Sequence, residues 1–163
     1  MEAEQQAVFL KLINENRAII HKVVNLYVDD DEDRKDIVQE IIAQAFAGFH
    51  NFRGDAKFST WLYKVSLNTA LTAIKKQKRR DEAEQSIETP TMPEENEKAE
   101  LLYRAIKMLD PINKMIISLH LEGYENPEIS EIAGISINHV AVKLHRSKEK
   151  IKSLIFSANG RTQ

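Results

Sequence analysis

Residues 52–80 read FRGDAKFSTWLYKVSLNTALTAIKKQKRR. The opening segment, through Thr60, mixes two aromatics, a Gly and both charge signs, which reads as an ordered loop. Ser59 or Thr60 is placed to cap a helix, its hydroxyl accepting from a free first-turn amide. From Trp61 to Arg80 there is no Gly or Pro and good helix formers dominate, so a helix follows.

On a helical wheel Tyr63, Leu67, Ala70, Leu71 and Ile74 share one apolar arc that predicts an inward face. Trp61, Lys64, Asn68, Thr72, Lys75 and Arg79 share the nearly opposite arc. That line sets an aromatic, an amide and three cations directly below the loop. A single nucleic-acid strand matches it, because bases stack on aromatics at about 1–3 kcal/mol each while cations follow the phosphates. Cations also suit a helix C-terminus, so the tail at 75–80 alone fits a solvated helix end equally well; the loop and the Trp61–Asn68 pair favour the strand-binding reading.

Working outward, the 163 residues suffice for one domain or two small ones. Cys is absent, which excludes disulfides and thiolate metal sites. The polar start MEAEQQ does not read as a signal peptide, and no apolar run approaches the roughly 20 residues of a membrane span. A cytoplasmic protein is the expectation. The net charge of −2 hides a strong asymmetry. Residues 1–80 carry 13 Lys/Arg against 11 Asp/Glu, residues 81–100 carry 1 against 8, and residues 101–163 carry 9 against 6. Two basic patches, at 64–80 and 143–152, therefore flank an acidic segment.

Residues 3–28 show helical periodicity through Phe9, Ile13, Ile20, Val23, Val24 and Tyr27. The run DDDED at 29–33 lacks the spacing and central Gly of a calcium loop and predicts a solvated connector that caps the next helix. That helix spans 33–49, with Ile37, Val38, Ile41, Ile42, Ala45, Phe46 and Phe49 inward. Its polar side holds Asp36, Gln39, Glu40 and Gln44, which by themselves read as a solvated face.

After Arg80 the chain turns Glu-rich, with Pro90 and Pro93 and few apolar residues. The apolar surface there is too small to offset ordering entropy, so 81–97 reads as an acidic flexible linker. The predicted fold class is thus all-α: a helical domain at 1–80, the linker, and a second helical domain at 98–163. In the second domain Asp110-Pro111 and Asn126-Pro127 each start a helix. Gly134-Ile135-Ser136 supplies a turn and an N-cap between helices at 127–133 and from 137 to about 156, a helix-turn-helix spacing. Val140, Leu144 and Ile151 point inward on the last helix, and Asn138, His139, Val142, His145 and Arg146 outward, with Lys143 and Lys150 on the flank. A recognition helix in a major groove needs such side chains beside base edges and phosphates. His139 and His145 have no carboxylate at ligand spacing, so no metal or other cofactor is expected.

Two stretches, DRKDIVQE at 33–40 running on to FHNFRGDAKFSTWLYKVSLN at 49–68, and EGYENPEISEIAGISINHVAVKLHRSK at 122–148, give the chain a nearly full-length resemblance to the extracytoplasmic-function (group 4) sigma factors of bacterial RNA polymerase. The resemblance implies a role in promoter recognition and transcription initiation. It assigns core-polymerase binding, through the beta and beta-prime subunits, to Asp33, Asp36, Ile37, Gln39 and Glu40, which reverses the solvated reading of that face. It assigns the melted −10 element of promoter DNA to Phe52, Arg53, Gly54, Asp55, Lys57, Phe58, Ser59, Thr60, Trp61, Lys64, Asn68 and Lys75. It assigns the −35 duplex to Asn138, His139, Ala141, Val142, Lys143, His145 and Arg146. The linker would then lie stretched in a nucleic-acid channel, its acids imitating phosphates, and a membrane-associated anti-sigma factor is admitted as a further partner. The chain departs from the pattern where Ala141 and Val142 replace a basic residue and a Ser, and where His120 replaces a phosphate-touching Arg. A stand-alone helix-turn-helix regulator is the alternative, though no separate dimerisation helix or heptad supports one. An enzyme is not expected, nor a small-molecule substrate: no Gly-rich phosphate loop or Ser/His/Asp constellation is present.

Overall fold

The computed structural model describes residues 2–81 and 97–160. These fall into two compact units, one within Met1–Glu88 and one within Thr89–Gln163. The body of the expected acidic linker lies outside the described residues. Among the described residues every regular element is a helix.

The first unit opens with α1 (Ala3–Glu15) and α2 (Arg17–Tyr27), where the periodicity predicted one helix over 3–28. The interruption is Asn16, at φ −112° and ψ 13°. Its backbone N–H donates to the Leu12 and Ile13 carbonyls, and its Nδ2 donates to Leu12 O at 2.9 Å. One amide side chain therefore satisfies the end of α1 while the apolar spacing continues.

The acidic run behaves as a cap. Asp30 Oδ1 accepts from the N–H groups of Glu32 (2.9 Å) and Asp33 (3.0 Å), which opens α3 (Asp31–Gly48). Asp31, Glu32 and Asp33 fill the first turn, where the helix dipole favours anions. Asp30→Ala should cost the unit about 1 kcal/mol, read as a lower midpoint in urea denaturation; an unchanged midpoint would remove the cap from this account.

A 3-10 turn (Phe49–Asn51) and a loop lead into α4 (Phe58–Asp81). This helix begins about one turn before Trp61, where the sequence placed its first helical residue: the Trp61 N–H already donates to Lys57 O at 3.1 Å. Ser59 and Thr60 are thus first-turn residues rather than caps. The start is set by burial, since Phe58 is 9% exposed and Thr60 4%. α4 packs on both α2 and α3, so its buried face is wider than one arc. Leu62 and Ser66 are fully buried beside the expected Tyr63, Leu67 and Ala70, while Leu71 and Ile74 are only half-buried. Phe9, Ile20, Val24, Ile41 and Leu62 form the centre of this core.

The second unit comprises α5 (Glu97–Lys107), α6 (Pro111–Leu121), α7 (Asn126–Ala133) and α8 (Ile137–Asn159). Asp110 caps α6 by accepting from the Asn113 N–H at 3.0 Å, with Pro111 at the first helical position. The turn between α7 and α8 follows the sequence reading. Gly134 sits in the left-handed region at φ 69°, where a side chain is strained, and Ser136 Oγ accepts from the His139 N–H at 3.2 Å. Ile116, Leu119, Ile129 and Val140 make the core, and α8 packs against α5, α6 and α7.

Candidate nucleic-acid interface

Four rings meet at the head of α4. Trp61 lies with its centroid 5.3 Å from Phe52, 5.4 Å from Phe58 and 6.4 Å from Phe49. Phe52 and Phe58 meet edge to face at 5.6 Å, and Phe49 contacts both. Phe9 extends the cluster from α1, 5.2 Å from Phe49 and 5.3 Å from Phe46. Each such pair adds about 0.5–1.5 kcal/mol beyond its burial. A Cβ on Gly48 would stand 3.4 Å from Trp61 Cζ2, so the indole also lies against the end of α3.

Trp61 keeps an open part of its surface without standing clear of the fold. It is half-buried, with part of its surface packed on three phenylalanines and the remainder open. Phe58 and Thr60, expected as contacts, are buried and shape the loop from behind. Phe52 and Ser59 are half-buried, whereas Arg53, Gly54, Asp55 and Lys57 are exposed. Gly54 takes φ 78° with open space where a Cβ would go, so its constraint is in the backbone alone. Phe49 joins this cluster although the sequence marked it only as core. The available signal was its place among aromatics on both sides of the loop.

Below the cluster the exposed line on α4 is as expected. Lys64 is half-buried, and Asn68, Thr72, Lys75 and Arg79 are exposed. Trp61 to Arg79 covers roughly 27 Å at 1.5 Å per residue. Thr72 Oγ1 donates to the Asn68 carbonyl at 2.8 Å, which leaves the Asn68 side chain clear of that bond.

The acidic face of α3 lies beside this line. Asp36, Gln39 and Glu40 are exposed, while Ile37, at 9% exposed, is part of the core and supports them. Asp33 is half-buried and accepts from Gln77 Nε2 at 3.1 Å, which ties the start of α3 to the end of α4. Glu40 Oε1 accepts from Gln44 Nε2 at 2.8 Å. An open cleft of about 530 Å³ separates the helices, with Asp36, Glu40 and Gln44 on one wall and Asn68, Thr72 and Lys76 on the other. Two surfaces that the sequence assigned to different partners therefore share one groove.

On α8, Asn138, His139, Ala141, Val142, His145 and Arg146 are all exposed, and Lys143 is half-buried. Val140, Leu144, Ser147 and Ile151 are buried opposite them. His120 is half-buried on α6. Among the described residues no group of His, Asp and Glu side chains stands together as a metal site, and no helix is long and apolar enough to cross a membrane.

The Sigma-70 region 2 family matches residues 12–80, and the Sigma-70 region 4 family matches residues 99–151. The ECF RNA polymerase sigma-E factor of Escherichia coli K12 is 31% identical over 156 residues, spanning 83% of this chain and 81% of that protein. The RNA polymerase sigma-H factor of Pseudomonas aeruginosa is 26% identical over 152 residues, spanning 80% and 79%. Among solved structures, the sigma factor RpoE in complex with the anti-sigma factor NepR from Bartonella quintana superposes with a TM-score of 0.69 at 16% identity, over 94% of this chain and 98% of that one. CnrH in complex with the cytosolic domain of CnrY gives 0.69 at 18% identity, over 93% and 90%. These two likenesses concern the fold.

Proposed function

Because the chain belongs to the extracytoplasmic-function sigma factors, which direct RNA polymerase to promoters and initiate transcription, we propose a division of labour between its two units. The first, residues 1–80, docks on core polymerase through the exposed acids of α3 and holds the melted −10 strand on the 52–60 loop and the α4 line. The second, residues 98–163, lays α8 in the major groove of the −35 duplex. The observation that carries this reading is the line from half-buried Trp61 through exposed Asn68 and Lys75 to Arg79, which begins at a ring cluster. A strand entering there meets stacking first and phosphate-binding cations after it.

The beta and beta-prime subunits of core polymerase and promoter DNA are the partners of this scheme. One structural neighbour, RpoE, is held by the anti-sigma factor NepR, and the other, CnrH, by the cytosolic domain of CnrY; we extend an anti-sigma partner to this chain. The protein acts by binding, with bond-making left to the polymerase, and it works in the cytoplasm where promoters are. Run-off transcription with purified core polymerase tests the scheme: promoter-specific transcripts should require both components, and specific duplex binding by the free protein without core would favour a stand-alone regulator.

Arg146 is exposed on the outward face of α8 and is assigned to phosphate. Arg146→Ala should weaken binding to all upstream sequences alike and lower the salt-dependence slope by about 1. A loss confined to one base position would make Arg146 a base reader instead.

A further inference from the structure

The four buried side chains of α8, Val140, Leu144, Ser147 and Ile151, define its inward direction. At about 100° per residue, Val142 points roughly 170° away from their mean. It therefore occupies the centre of the outward face, 45% exposed, in the second turn of the helix. Every exposed neighbour around it except Ala141 is polar or cationic: Asn138, His139, His145 and Arg146. Further along the same line, about 10 Å beyond Val142, stands Glu149, whose carboxylate pairs with Lys152 at 3.2 Å. An acid aimed at a duplex is repelled by phosphate, so the surface that meets bases ends before it.

Single exposed apolar residues are ordinary on protein surfaces, but this one sits where a groove-reading helix makes its closest approach. An isopropyl group can offer no hydrogen bond to a base edge. The apolar feature a base pair presents in the major groove is the C5-methyl of thymine. Val is also stiff at χ1, so presenting it sacrifices little side-chain freedom.

We propose that Val142 selects promoters by packing its isopropyl group on the 5-methyl of one thymine in the upstream element. This rests on the reading of α8 as the duplex-reading helix, and it adds a base preference that the cations cannot supply.

The test is a thymine-to-deoxyuridine scan of the upstream element of a fragment that the holoenzyme transcribes, since uracil lacks only the methyl. With the wild-type chain, uracil at one position should weaken holoenzyme binding about fourfold, the equivalent of about 0.8 kcal/mol for one methyl-sized group. With Val142→Ala, that position should become indifferent to uracil. A flat scan, or an equal loss in the variant, overturns the proposal. Arg146→Ala in the same assay separates the two layers. If it weakens binding while the scan is flat, only the role of Val142 fails; if neither change matters, α8 is not the reading helix. Val142 is exposed, so its substitution leaves the core of the unit intact.

Discussion

Trp61→Ala should slow promoter opening about fivefold to a hundredfold while leaving association with core polymerase close to that of the unaltered chain. The magnitude follows from about 1–3 kcal/mol for one base stacked on one aromatic face, at 1.4 kcal/mol per tenfold. The structure adds a complication, because Trp61 also packs on Phe49, Phe52 and Phe58. Its removal therefore loosens the ring cluster as well as deleting a stacking surface. Trp61→Phe separates the effects: it keeps an aromatic face and should recover most of the opening rate. Fluorescence of a base analogue in the −10 element reports opening, and a core-binding titration reports docking. Equal losses in both, or a Phe variant as slow as the Ala variant, would contradict the role given to this ring.

Ile116→Ala should destabilise the second unit by about 2–5 kcal/mol, the range for truncating a fully buried aliphatic side chain. For a unit of this size that corresponds to a fall in Tm of at least about 10 °C. Calorimetry of the full chain should show one transition moving and the other, belonging to the unit of α1 to α4, staying in place. The variant should keep its grip on core polymerase while losing upstream reading. Both transitions shifting together would mean that the two units melt as one.

The second unit was largely legible because its boundaries are written in residues with local chemistry. Asp110 before Pro111, Gly134 at a left-handed position and Ser136 as a cap each act within a few residues. The first unit was less so, for reasons that lie in tertiary structure. At Asn16 the apolar spacing runs on through a bend made by one side-chain amide. At the head of α4, the burial of Phe58 outweighs the capping preference of Ser59 and Thr60. Leu62 and Ser66 escaped the two-arc reading because α4 is covered from two sides. The candidate site shows the same division. The cation and amide line on α4 follows from period alone, but no periodicity reveals that Trp61 shares its faces with three phenylalanines, or that Asp36 and Glu40 look across a groove at Asn68.

If the proposed −10 role holds, the ring cluster carries a thermodynamic consequence for the capture of a melted base. Phe49, Phe52, Phe58 and Trp61 are already packed against one another in the chain without DNA. The loss of their rotational freedom was therefore settled when the unit folded. In the proposed role an arriving base would meet a preorganised floor, so stacking would need to offset the ordering of the nucleotide alone.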